Sequence, residues 1–131
     1  MLHALLVIEQ DNQILLMRDA KNPIRLKLPG GKAEGAENFQ DALIREITEE
    51  LGIALKPEQL VPLCKFRFSW LGVAYHHMIY TLAPNTINWQ ACVINCEPEE
   101  CSELVWVDKY NLPNAMLEPI REELEKIFFR S

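Results

Sequence analysis

Apolar and polar positions alternate or recur at helical spacing in a way that divides the chain into short elements. Residues 2–8 and 13–17 are apolar runs flanking Asp11-Asn12, a pattern that predicts two strands joined as a hairpin. A loop through Asn22-Pro23 leads to a short strand ahead of Pro29. Residues 60–70 and 73–82 then read as two strands around Leu71-Gly72, and 104–107 as another. Residues 84–100 are mixed, carry Pro98 and several acids, and read mainly as loop. Two stretches have helical period instead. Leu43, Ile44, Ile47 and Leu51 share one arc of roughly 100°, with Asn38 placed to cap the start and Gly52 to end the helix. From about Ala115, Leu117, Ile120, Leu124, Ile127 and Phe128 form a second amphipathic stripe. Strands interleaved with helices predict an α/β (α+β) fold, a mixed sheet with helices on both faces.

The polar face of the first helix carries the chemistry. Glu46, Glu49 and Glu50 stand at i, i+3 and i+4, so their carboxylates fall on one patch. Carboxylates held together repel unless a cation lies between them. Hard oxygen donors suit Mg²⁺ or Mn²⁺, above all when substrate phosphates complete the shell. Arg45 is next to Glu46 and four residues from Glu49, within reach to hold a carboxylate by a charge-assisted bond. Leu28-Pro29-Gly30-Gly31-Lys32 lies just upstream, where two glycines let backbone approach a ligand closely.

Together these residues spell G-x5-E-x7-R-E-U-x-E-E-x-G-U across 31–53, with U aliphatic. At roughly 6% usage per residue type, chance would yield it with probability on the order of 10⁻⁸. The pattern resembles the Nudix box of the Nudix hydrolases at every position. That resemblance implies an α/β/α sandwich with a mixed, partly antiparallel sheet over a single domain, 1–131. It further implies metal-dependent hydrolysis of a nucleoside diphosphate linked to a group X. Glu46 would be the general base or water-positioning carboxylate, assisted by Arg45, and Glu46, Glu49, Glu50 and the Gly30 carbonyl would meet the metal. Lys32 would contact phosphate and Glu37 would brace the loop. Many members add an acidic ligand from a later loop. Glu97, Glu99, Glu100 and Glu103 are the candidates here, with Glu100 or Glu103 favoured.

Composition and charge bound the rest. At 131 residues, 49% hydrophobic and 24% charged, the chain has the make-up of one soluble globular core. No apolar run reaches membrane-spanning length, and Met1-Leu2-His3 does not open a secretory signal, so a cytoplasmic location is expected. Cys64, Cys92, Cys96 and Cys101 lack paired zinc-site spacing, which leaves reduced thiols as the expectation. A net charge of −6 argues against nucleic-acid binding. Metal ions would reconcile that charge with a phosphate-bearing substrate.

Substrate markers are sparse. Small MutT-like members of the family cleave nucleoside or deoxynucleoside triphosphates to monophosphate and pyrophosphate, and that is the substrate class expected here. Phe68 and Ser69 stand where ADP-ribose hydrolases often carry proline, and Trp70 and Leu71 where dinucleoside polyphosphate hydrolases often carry tyrosine. Leu117 precedes Glu118-Pro119, where some oxidised-guanine enzymes use asparagine. The alternatives are hydrolysis of ADP-ribose, a dinucleotide or RNA 5′ ends, or a non-catalytic nucleotide-sensing module. Phe66, Phe68, Trp70, Tyr75 or Trp89 could stack on a base, although aromatics on strands usually pack inward. His76 and His77 point to opposite faces of one strand, so at most one faces the site. The expected assembly is a monomer or a homodimer.

Overall fold

The computed structural model describes residues 1–84 and 94–129; Trp89 and Cys92 lie outside them. Among the described residues, eight strands form two four-stranded sheets, with a helix packed into each of two apolar cores. They are β1 (Leu2–Val7), β2 (Glu9–Gln10), β3 (Gln13–Asp19), β4 (Leu26–Lys27), β5 (Gly30–Lys32), β6 (Leu60–Trp70), β7 (Val73–Leu82) and β8 (Cys101–Asp108). Among the described residues the helices are α1 (Phe39–Leu51) and α2 (Glu118–Phe128), and a 3-10 turn occupies Pro57–Gln59. The mixed α+β architecture is the one the sequence predicts. No helix among the described residues is long and apolar enough to cross a membrane.

The first sheet runs β5-β1-β7-β6, with β1 and β7 parallel and the other pairs antiparallel. In the second, β8 takes the whole of one side of β3, while β2 and β4 share the other. Asp11 and Asn12 both adopt left-handed backbone (φ 53° and 64°), which suits a two-residue hairpin turn. The hairpin forms between β2 and β3. Its first arm is a continuation of β1 that breaks at Ile8 and crosses into the second sheet.

Alternation along β1 builds the two cores. Ala4 and Leu6 face one way and pack on Leu43, Ile47 and Leu51 of α1. Leu5 and Val7 face the other and share a cluster with Leu124 and Phe128 of α2. Leu43, Ile47 and Leu51 are fully buried, a burial that contributes about 1.5–3 kcal/mol per side chain. The helix ends follow the sequence: Asn38 Oδ1 accepts the Asp41 N–H at 2.8 Å, and Gly52 closes the helix at φ 70°.

The Pro29-Gly30-Gly31-Lys32 stretch is more ordered than a loop. Gly30 to Lys32 form β5, pairing Gly30 with Leu5, Gly31 with Ala4 and Lys32 with His3. Gly30 sits at φ +127°, and a Cβ there would overlap the carbonyl of Ala4. Only glycine allows the ladder to close at that point.

Candidate active site

Helix α1 lies against β5, and the box glutamates meet the two glycines there. Glu50 is buried, only 6% exposed, and its Oε1 accepts the Gly30 N–H at 2.8 Å. Burial pushes its carboxyl up to about 8; the charges of Glu46 and Glu97 push the same way, while the Gly30 N–H and Lys27 oppose them. Glu46 lies half-buried beneath Gly31. A Cβ on Gly31 would stand 2.7 Å from the Glu46 Cδ, so the missing side chain is the space that the carboxylate fills. Burial also raises the Glu46 carboxyl, against the pull of Arg45.

Arg45 ties this region together. Its Nε donates to Glu37 Oε2 at 2.9 Å and its Nη2 to Glu37 Oε1 at 3.0 Å, a two-point grip on one carboxylate. Nη2 also donates to the Lys32 carbonyl at 3.0 Å, and Nη1 to Glu46 at 3.0 Å and Glu49 at 3.3 Å. Glu37 in turn accepts the Glu34 N–H at 2.8 Å. The Arg45 guanidinium beside it holds the Glu37 carboxyl below its ordinary value. One guanidinium thus links β5, the 34–37 turn and two carboxylates of α1.

The three glutamates on the helix occupy different surroundings. Glu50 is buried and turned to Gly30, Glu46 is half-buried and turned to Arg45, and Glu49 is exposed. Among the described residues, no group of three or more His, Cys, Asp or Glu stands ready to hold a metal ion. The donor chemistry nonetheless fits a hard divalent cation. All the donors are oxygens, and the buried Glu50 is charged only at a cost that a neighbouring cation would offset.

The charge of a third carboxylate, Glu97 in the 94–100 segment, bears on this spot. The Cys96 N–H donates to the Glu50 carbonyl at 2.9 Å, docking the segment on the end of α1. Asn95 Oδ1 accepts the Glu97 N–H at 3.2 Å, and Asn95 Nδ2 donates to the Cys101 carbonyl at 2.8 Å. The charge of Glu97 consequently acts on both Glu46 and Glu50. The two favoured acids are engaged elsewhere: Glu100 lies 3.9 Å from Lys21, and Glu103 pairs with Arg18 at 2.6 Å. Asn95, two residues before Glu97 and able to form a local turn with its backbone, was the available sequence signal.

On the sheet face that carries α2, a cavity of about 970 Å³ adjoins Gly30, Gly31 and Lys32. Arg25 and Lys27 join Lys32 in its lining; neither was anticipated as a site residue. Phe68, Trp70 and Tyr75 also line it, whereas Phe66 packs against the second core. Of the two adjacent histidines, His77 lines the cavity.

Comparison with known proteins bears on this arrangement. A family model described as the NUDIX domain matches residues 2–129. The chain is 42% identical over 57 residues to an ADP-ribose pyrophosphatase of Methanocaldococcus jannaschii, covering 42% of this chain and 34% of that protein. It is 37% identical over 74 residues to a human 8-oxo-dGDP phosphatase, covering 55% of this chain and 23% of the relative. The matches thus span about a third or less of those two relatives. Among solved structures, the MutT NUDIX hydrolase of Burkholderia pseudomallei superposes with a TM-score of 0.76 at 27% identity, covering 96% of both chains. The match over nearly the full length, on a chain whose box residues meet at one glycine strand, shows that this protein belongs to the NUDIX domain family.

Proposed function

We propose that this protein is a Mg²⁺-dependent hydrolase of a pyrophosphate bond in a nucleoside diphosphate-X substrate. The substrate class is a (deoxy)nucleoside triphosphate, cleaved to the monophosphate and pyrophosphate. The observation that carries the reading is the buried Glu50 carboxylate on the Gly30 N–H, with Glu46 filling the space beside Gly31. Relatives named for ADP-ribose and 8-oxo-dGDP support the bond type, and the triphosphate is the substrate class that the resemblance to small MutT-like members implies.

Mg²⁺, or Mn²⁺ in its place, would be held by Glu46, Glu50 and the Gly30 carbonyl, with Glu49 at the exposed edge. When bound, it supplies charge neutralisation and a more acidic water. Glu46 would orient an attacking water and accept its proton. Arg45 fixes Glu46 and, through Glu37 and the Lys32 carbonyl, keeps the glycine strand against α1. Lys32, with Lys27 and Arg25 nearby, draws the phosphates to the glycine end of the cavity. Glu97 is the loop carboxylate of the site, in place of Glu100 or Glu103.

Pyrophosphate and orthophosphate release would be measured across ordinary and oxidised nucleoside triphosphates, ADP-ribose, NADH, diadenosine tetraphosphate and triphosphorylated RNA. Each substrate is run with Mg²⁺ and with EDTA. Pyrophosphate from a triphosphate in Mg²⁺ alone, lost in Glu46→Gln and Glu50→Gln, is the expected result. Turnover only of ADP-ribose or a dinucleotide would overturn the triphosphate assignment, and full activity in both variants would overturn the mechanism.

A further inference from the structure

The cavity beside Lys32 has a floor set by strand register. Phe66 on β6 pairs with His77 on β7, His77 lies beside His3 on β1, and His3 pairs with Lys32 on β5. The rings follow the register: Phe66 and His77 stack at 5.1 Å, and His77 and His3 at 4.9 Å with planes 9° apart. Phe68 stacks on His77 at 5.1 Å and on Tyr75 at 5.4 Å. Stacked rings therefore run across the sheet to a lysine beside the two glycines; His3, His77, Phe68 and Tyr75 line the cavity and Phe66 backs them from the core.

Two of these rings carry atoms that packing does not account for. The Nδ1 atoms of His3 and His77 are shut off from solvent, with no hydrogen-bond partner among the described residues. His77 as a whole is only 4% exposed. Leaving such an atom unpaired costs about 1–3 kcal/mol, and native folds seldom carry that cost without a use for it. Burial holds the His77 imidazole down at about 4 and lowers that of His3, so both are uncharged at neutral pH. A neutral imidazole offers one donor and one acceptor on an apolar plane. That combination suits the edge of a heterocycle and repels neither phosphate nor base.

We propose that His77, with His3 beside it, selects the base of a nucleoside polyphosphate. The heterocycle meets the edges of the stacked rings and, once an imidazole turns its sealed Nδ1 toward the cavity, hydrogen-bonds that atom, while the phosphates point to Lys32 and Gly30-Gly31. Two strand spacings, about 10 Å, separate His77 from Lys32, a span suited to a ribose and a first phosphate. The inference rests on the hydrolase reading and adds the residues that choose the substrate.

Calorimetric titration of the whole chain in EDTA with the four common nucleoside monophosphates, and with inorganic phosphate, reads this seat without any chemistry. The monophosphates are expected to bind more tightly than phosphate and to differ among themselves by about tenfold, the scale of one well-placed polar contact. His77→Leu should flatten that difference and raise KM for the preferred triphosphate about tenfold with kcat unchanged. His77→Asn, which keeps a polar atom near the Nδ1 position, should retain most of the preference; thermal melts of both variants and of His3→Leu check folding. Unchanged base preference and KM in His77→Leu would overturn the inference and leave the hydrolase reading standing. Equal binding of phosphate and all monophosphates by the parent protein would overturn it too. Base-selective, His77-dependent binding without hydrolysis of any nucleotide would support the seat and sink the hydrolase reading instead.

Discussion

Arg45 holds Glu37 at two points, Nε on one carboxylate oxygen at 2.9 Å and Nη2 on the other at 3.0 Å, although eight residues separate them in the chain. The same guanidinium reaches the Lys32 carbonyl and Glu46. Lysine presents a single point of charge and cannot reproduce the fork. Arg45→Lys is therefore expected to lower stability by about 1–2 kcal/mol, a modest loss because the pair is partly exposed. Its effect on kcat should be larger, roughly 100-fold, because the loop and Glu46 lose their shared anchor. Urea unfolding and steady-state pyrophosphate release on the same preparation separate the two effects.

Gly30 and Gly31 are adjacent, yet alanine should act on them in opposite ways. At Gly30 a Cβ meets rigid backbone of β1 at a left-handed φ, so Gly30→Ala should cost upwards of about 3 kcal/mol and spoil the fold. At Gly31 it meets the end of the Glu46 side chain, which is able to swing aside. Gly31→Ala should melt near the parent temperature while losing about 100-fold in kcat. Thermal melts beside activity assays distinguish the two.

Glu50 links stability to pH and to metal. Its carboxyl rises from an ordinary 4.5 to about 8 in the fold, so the folded state holds the proton more tightly than the unfolded chain. The contribution of Glu50 to the stability of the metal-free protein is thus full below pH 4.5 and is lost as pH rises from there through 8. Glu50→Gln, whose amide oxygen still accepts the Gly30 N–H, should stabilise the metal-free protein at pH 8.5 by about 1–3 kcal/mol. Saturating Mg²⁺ should reverse the order of the two proteins. Urea midpoints at pH 5 and 8.5, in EDTA and in Mg²⁺, test both statements.

Glu97→Gln should reduce kcat at least roughly tenfold, because its charge bears on Glu46 and Glu50. Glu100→Gln and Glu103→Gln remove exposed pairs with Lys21 and Arg18 and should leave the rate within about twofold. Steady-state kinetics of the three variants at one Mg²⁺ concentration rank them directly.

What could be read in the chain was what its neighbours in sequence decide. Asn38 and Gly52 bound α1 because capping is a contest among a few adjacent groups, and the long arms β6 and β7 meet around Leu71-Gly72 as alternation predicts. Strand β5 escaped notice because Gly30-Gly31 has no pattern of its own; Leu5 and Ala4, some 26 residues upstream, make it a strand. The sequence offered Glu97 as one of four loop acids but could not single it out: its segment is held by the bond from the Cys96 N–H to the Glu50 carbonyl, across 46 residues of chain, together with the Asn95 bonds. The placing of His77 was half legible. Alternation put it opposite His76, but only the parallel pairing of β1 with β7 brings it beside His3.

That pairing sets a fixed gauge. Strand β1 is bonded to β5 along one edge and to β7 along the other, so the glycines and the imidazoles are spaced by a hydrogen-bond ladder rather than by flexible side chains. A ladder moves only in whole residues, and one step would exchange every side chain on β1 between the two faces of its sheet. His3 would then turn toward α1 and Ala4 toward the cavity. The distance between the stacked rings and the glycine strand therefore changes only by whole register steps, and a ligand seated at both ends would have to match that fixed span.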